Sequence, residues 1–307
     1  MSHDLRTALA DYLAMRRALG FTLTEPERHL RRFIEYLEST GQTTVTTEAA
    51  HAWAMSPPGS APTWWATRLG SVRMFAMYLK TIDPATEIPP PLVGRVKRAT
   101  PYLYSDADIA ALLKVVENFS SPLRVATYQT LIGLLAVTGM RVGEAIAADR
   151  DDLDLDAGVL VVKQGKFGKT RALPLHPSTV EALAGYLERR DQLHPRPKRP
   201  ALLISAVGTR LIYQNVHMNY FDFVHMAGLR PRSATCRPRI HDLRHTFAVR
   251  TILDWYREGH DVKARMPLLS TYLGHVHPSD TYWYLSAAPE LLELAGERLE
   301  RHLGGRS

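Results

Sequence analysis

The sequence predicts a mainly α-helical protein of two domains, the second of which combines its helices with a small β-sheet. Three observations lead to that fold class. Apolar residues recur three and four positions apart through most of the 307 residues, the period of helices that bury one face. A proline-dense stretch from Thr81 to Pro101, holding Pro84, Pro89, Pro90, Pro91 and Pro101, breaks that pattern and reads as an extended linker. Past it, one pair of β-branched runs has the spacing of a hairpin. The chain is long enough for two separate cores, and the domains are drawn as residues 1–82 and 102–307 with residues 83–101 between them.

In the first domain, Leu5, Leu9, Tyr12 and Leu13, then Leu30, Phe33, Ile34 and Leu37, mark two helices separated by Gly20 and Pro26. Thr46 or Thr47 before Glu48 resembles a capped start, and a loop over 57–62 leads into a helix from Trp64 to Lys80. The unit expected is four to five helices. Its basic residues Arg6, Arg16, Arg17, Arg28, Arg31, Arg32, Arg68 and Arg73 can either solvate helix faces or meet a phosphate backbone.

Helix restarts after Tyr104, with Ser105 as N-cap and Asp108 at the third helical position. Pro122 to Val137 is an apolar helix stopped by Thr138-Gly139, and another begins at Met140. Asp151 to Asp156 is an acidic turn. Gly158 to Gly165 and Thr170 to Leu175 read as the two strands, joined across Lys166-Phe-Gly-Lys169. Helices follow over 177–190 and 214–227, the latter with Val216, Tyr220, Phe223 and Val224 inward. Arg189 to Pro200 is a basic loop and Arg257 to Arg265 a polar one. A short helix runs from Pro267 to Gly274, and Pro289 to Leu303 closes the chain as an amphipathic helix.

Lysine and arginine number 38 against 31 acids, a net charge of +7 that favours a polyanionic partner. The excess is concentrated: Arg230, Arg232, Arg237, Arg239, Arg244 and Arg250 are accompanied over that span by the single acid Asp242. One cysteine, Cys236, excludes an intrachain disulfide and a cysteine-rich zinc site. No apolar stretch reaches membrane-spanning length and no N-terminal segment pairs a basic region with an apolar run, so a soluble cytoplasmic protein is expected.

The chemistry gathers between Ile240 and Leu285. In a helix, His241, Arg244 and His245 project from one face. About thirty residues on, a glycine break at Gly274 presents His275, and Tyr284 follows nine residues later. An arginine fork matches phosphate oxygens, and a tyrosine can act as nucleophile. Arg141 and Glu144, three apart after Thr138-Gly139, form either a surface ion pair or part of such a site.

Taken in order, Thr138-Gly-x-Arg141-x-x-Glu144, Gly165-Lys166-x-x-Lys169-x-Arg171-x-x-Pro174-Leu175, His241-x-x-Arg244, Leu273-Gly-His275 and Tyr284 resemble the boxes of the tyrosine site-specific recombinases, the integrase family. The motifs span Tyr104 to Leu285; the first hundred residues match in layout only. The resemblance implies a helical N-terminal core-binding domain and an α+β catalytic domain with a small sheet. It implies double-stranded DNA as substrate, cleaved and rejoined through a 3′-phosphotyrosyl link with no cofactor and no metal, in the service of a mobile genetic element. It further implies a homotetramer on synapsed DNA, joined through the C-terminal helix, although that helix packing on its own chain is an equal alternative.

By that resemblance Tyr284 is the nucleophile, with Tyr282 next in order, and Arg141 and Arg244 hold the non-bridging oxygens. Lys166 protonates the leaving oxygen, with Lys169 as the alternative; His241 takes the phenol's proton; His275 adds a hydrogen bond; and Glu144 orients Arg141 or His241 from behind. His245 and His277 are expected to be structural.

The same residues admit other readings. A zinc hydrolase would use His241 and His245 at i and i+4, but Asp242 replaces the glutamate base and Arg244 would face the metal. A nucleotide loop at Phe167-Gly-Lys-Thr170 fails because Lys163 stands where the first glycine is required. A DNA-binding protein that has lost catalysis would not keep all six polar groups, and a type IB topoisomerase would share the chemistry while acting as a monomer.

Overall fold

The computed structural model describes residues 4–56, 59–92, 99–163, 170–275 and 277–286. These fall into two compact units, residues 1–98 and 99–307.

Among the described residues, four helices build the first unit: α1 (Leu5–Ala18), α2 (Thr24–Ser39), α3 (Thr47–Met55) and α4 (Pro62–Leu79). Each start has a local cause. The Asp4 carboxylate accepts the amides of Arg6 and Thr7, Thr46 accepts that of Ala49, and Pro62 opens α4 where a missing amide costs nothing. Pro26, expected to separate helices, lies instead in the first turn of α2, where amides have no partner in the helix anyway. Leu13, Leu30, Phe33, Leu37, Trp53, Leu69, Phe75 and Leu79 interlock as the core. Of the proline-dense stretch, Thr81 to Ala85 form turns, and the residues after them run along this unit: Glu87 donates its amide to Val45 O at 2.8 Å and its carboxylate accepts the amide of Thr47 at 2.7 Å.

The second unit contains α5 (Asp106–Val116), α6 (Pro122–Thr138), α7 (Val142–Ala147), the strands β1 (Leu153–Asp154), β2 (Val159–Val162) and β3 (Arg171–Pro174), then α8 (Pro177–Leu193), α9 (Tyr213–Met226), α10 (Asp242–Arg257), α11 (Val262–Leu273) and the single turn α12 (Ser279–Tyr282). The sheet is antiparallel in the order β1-β2-β3. Only two of its strands were expected; β1 is too short to show alternation, and it pairs Leu153 with Leu160 from within the stretch expected to be an acidic turn. Ser105 and Asp108 form a reciprocal capping box at the start of α5.

One boundary differs substantially from expectation. The helix α11 begins at Val262, five residues before Pro267, inside what reads as a polar loop. Asp261 caps the amide of Ala264 at 3.1 Å, and Val262 and Met266 are buried, so capping and burial outweigh the hydrogen bond that Pro267 removes.

Two glycines set the course of the chain near α10. Gly139 ends α6 at φ +59°, and a Cβ there would lie 2.4 Å from the Phe247 ring. Gly274 ends α11 at φ +67° against the Arg171 guanidinium. The expected terminal helix at 289–303 and the residues Lys166 and Lys169 lie outside the described residues. Among the described residues no helix is long and apolar enough to cross a membrane.

Candidate active site

The helix α10 supplies the centre of the site. Its start is pinned by Asp242, whose carboxylate accepts the amide of Arg239 at 3.0 Å and that residue's guanidinium at 2.8 and 3.0 Å. Burial pushes the Asp242 carboxyl up, against the pull of Arg239. Thr246 Oγ1 accepts the amide of Tyr104 at 2.9 Å, and Arg250 donates to Tyr104 O at 2.8 Å. The helix is thereby stitched to the segment that precedes α5, and nearly all of its first eight residues are enclosed.

Arg244, 2% exposed, donates to Gly139 O at 2.8 Å and to Leu273 O at 2.7 Å. Burial brings its guanidinium down to about 10, helped by the neighbouring positive charge of Arg141. Arg141 occupies the N-cap position of α7. Its backbone amide meets Glu144 Oε2 at 2.9 Å, while its guanidinium donates to Glu144 Oε1 at 2.7 Å and to Gly274 O at 3.0 Å. The ion pair of Arg141 and Glu144 is therefore half-buried, its carboxylate enclosed and its guanidinium 26% exposed. The two motif arginines, far apart in sequence, converge on the turn Leu273-Gly274.

Arg171, the first residue of β3, is the arginine that sequence reasoning left without a role. It donates to both oxygens of Glu144, at 3.1 and 2.8 Å, and through Nε to Tyr272 O at 2.8 Å. Burial alone would raise the Glu144 carboxyl, but Arg171 first, then the amide and guanidinium of Arg141, hold it down to about 2. The only signal in the sequence was its place in the Lys-x-Arg string of the hairpin.

The histidines and the phenol lie together in α10 and the segment after α11. Tyr284 is 2% exposed and its hydroxyl is 3.1 Å from His245 Nδ1. His245 Nε2 is 3.9 Å from Asp242 Oδ1, and the ring of His241 stands edge-on to that of His245 at 4.8 Å. The imidazole on the phenol is thus His245, expected to be structural, while His241 is one ring further out and exposed. His275 packs face to face with Tyr284 at 6.2 Å, and its Nδ1 is 2.6 Å from Thr281 Oγ1. Tyr282, the alternative nucleophile, is 41% exposed, and its neighbour Thr281 is fully buried. No three His, Cys, Asp or Glu side chains among the described residues converge to hold a metal ion.

The basic residues of the first unit are largely engaged. Arg6 pairs with Glu38, Arg17 and Arg31 with Glu27, and Arg28 with Glu25; Arg68 lies over the Trp53 ring and Arg73 meets Pro89 O. The surface pairs among these are weak and exchangeable.

Residues 103–290 match the phage integrase family. A protein of Sinorhizobium fredii described as an integrase/recombinase, y4rB, is 44% identical over 98% of this chain and 99% of its own length. The tyrosine recombinase XerD of Mycobacterium leprae is 29% identical over 89% of each. Among solved structures, the Tn1549 transposon integrase in complex with transposon right end DNA aligns over 96% of this chain and 98% of its own with a TM-score of 0.65 at 16% identity. The XerH recombinase bound to its difH substrate in a post-cleavage complex gives 0.61 at 20% identity, over 89% and 78%. The resemblance read in the motifs and the mainly helical fold with its small sheet agree with these relatives: the chain belongs to the phage integrase family and is a tyrosine recombinase.

Proposed function

We propose that this recombinase cleaves and rejoins double-stranded DNA through Tyr284, without metal or nucleotide, and that it serves a mobile genetic element. The observation that supports the reading best is the meeting of Arg141 and Arg244 on the Leu273-Gly274 turn, beside His275 and Tyr284. Structural relatives bound to transposon-end DNA and to a Holliday junction support DNA as the substrate.

In the mechanism proposed, the Tyr284 oxygen attacks phosphorus, the bond to the 5′ oxygen breaks, and a 3′-phosphotyrosyl ester remains. A 5′ hydroxyl of a partner strand reverses the step, and the ester conserves the phosphodiester's energy. Arg141 and Arg244 stabilise charge on the non-bridging oxygens. Lys166 delivers a proton to the leaving oxygen, and His275 adds a hydrogen bond. A free phenol titrates near pH 10, so a base is required. His241 is assigned that task, with His245 holding the phenol before reaction. Because Tyr284 is enclosed, DNA binding exposes it first. A tetramer joined through residues 289–303 completes the proposal.

A nicked suicide substrate built from the DNA flanking the encoding gene tests it. The expected result is a protein–DNA adduct stable to detergent, formed equally in chelator, lost in Tyr284→Phe and retained in Tyr282→Phe. Adduct formation by Tyr284→Phe at the wild-type level overturns the nucleophile, and dependence on a divalent ion overturns the metal-free chemistry.

A further inference from the structure

Three successive carbonyls at the C-terminal end of α11 each accept from a different arginine: Tyr272 O from Arg171, Leu273 O from Arg244 and Gly274 O from Arg141. We infer that Arg171 is a positioning residue for phosphate binding, holding Glu144 and the last turn of α11 in the arrangement that aims Arg141 and Arg244. This rests on the function proposed above and adds a working part to the same site.

The last carbonyls of a helix lack intrahelical donors and carry the negative end of its dipole, so they suit cations. Three guanidiniums side by side nevertheless repel, and Glu144 is the anion that separates two of them. Arg171 closes a ring of hydrogen bonds through Glu144, Arg141, Gly274 O and the α11 backbone to Tyr272 O. It reaches the ring from a fixed strand, since the residue pairs with Val162 across the sheet.

Its removal has two consequences. Glu144 would keep Arg141 as its cationic partner and neutralise it more completely, drawing that charge away from the phosphate. The turn at Gly274 would also lose the guanidinium packed on it, which now lies 2.7 Å from where a Cβ would stand. Lysine cannot substitute, because one ammonium does not span both carboxylate oxygens and a carbonyl as the planar fork does. A buried ion pair can also be merely architectural, so the test must separate the two roles.

The test measures single-turnover cleavage of the suicide substrate by the full-length protein and by Arg171→Lys, together with DNA affinity and thermal unfolding. The expected result is unchanged affinity with a cleavage rate lower by about 100-fold, the scale of a displaced catalytic group. On a substrate whose scissile phosphate is replaced by neutral methylphosphonate, the deficit should shrink, because less charge then has to be met by aimed guanidiniums. Adding Arg171→Lys to Arg141→Ala should slow cleavage by a smaller factor than Arg171→Lys does alone, since only the aiming of Arg244 is then left to lose. Equal deficits on both substrates, additive effects in the double variant, or wild-type cleavage by Arg171→Lys each overturn the inference. Wild-type protein that forms no adduct overturns the functional reading beneath it, a result distinct from adduct formation that is indifferent to Arg171.

Discussion

At Glu144 one buried carboxylate answers two guanidiniums, and its acidity records the fact. Held at about 2 against an ordinary value of 4.5, it binds fewer protons folded than unfolded. Its contribution to stability is therefore fully present above pH 4.5 and is lost as pH falls from there through about 2. Glu144→Gln should flatten the fall in stability across that window, while being less stable than wild type at neutral pH; chemical denaturation at a series of pH values measures both. At Tyr284 and His245 the residue scale shows what sequence could not. Periodicity placed His245 on the same face as His241, but which ring meets the phenol depends on the path of the chain after Gly274. His245 and Tyr284 are 39 residues apart. Arg171 is harder still to read, for its partners lie 27 and 101 residues away and nothing local distinguishes it from a solvated strand-end arginine.

Elements whose boundaries are set locally were legible. Ser105 with Asp108, Thr46 and Gly139 each satisfy orphan backbone groups by their own chemistry and stand where the sequence put them, while Pro62, expected in the preceding loop, opens α4 because it has no amide to leave unpaired. Those set by tertiary burial were not. The first turn of α11 holds because Val262 and Met266 are covered, and β1 exists because β2 offers it an edge. The capping box at α5 adjoins the segment stitched to α10, so Ser105→Ala should lower unfolding stability by about 1 kcal/mol. Its effect on cleavage should be small beside that on stability, because Tyr104 keeps its bonds to Thr246 and Arg250; parallel denaturation and adduct assays report the two.

Over the whole molecule, the fold was legible in outline as two helical units and a small sheet, while the engagement of the arginines in the first unit was not, because Glu25, Glu27 and Glu38 carry no mark of their partners. With a net charge of +7, DNA affinity under the proposed function should fall as salt rises, with a log–log slope of about −0.9 per phosphate neutralised. Breaking the Arg6–Glu38 pair by Glu38→Gln should strengthen binding slightly if Arg6 then meets DNA, and fluorescence titration at several salt concentrations measures it. The end of α11 is a datum from which three distant stretches of polypeptide take their bearings. Inserting or deleting one residue in that helix would swing its final carbonyls by about 100° around the axis and unseat all three guanidiniums together. Its length is consequently as constrained as any reactive group it serves.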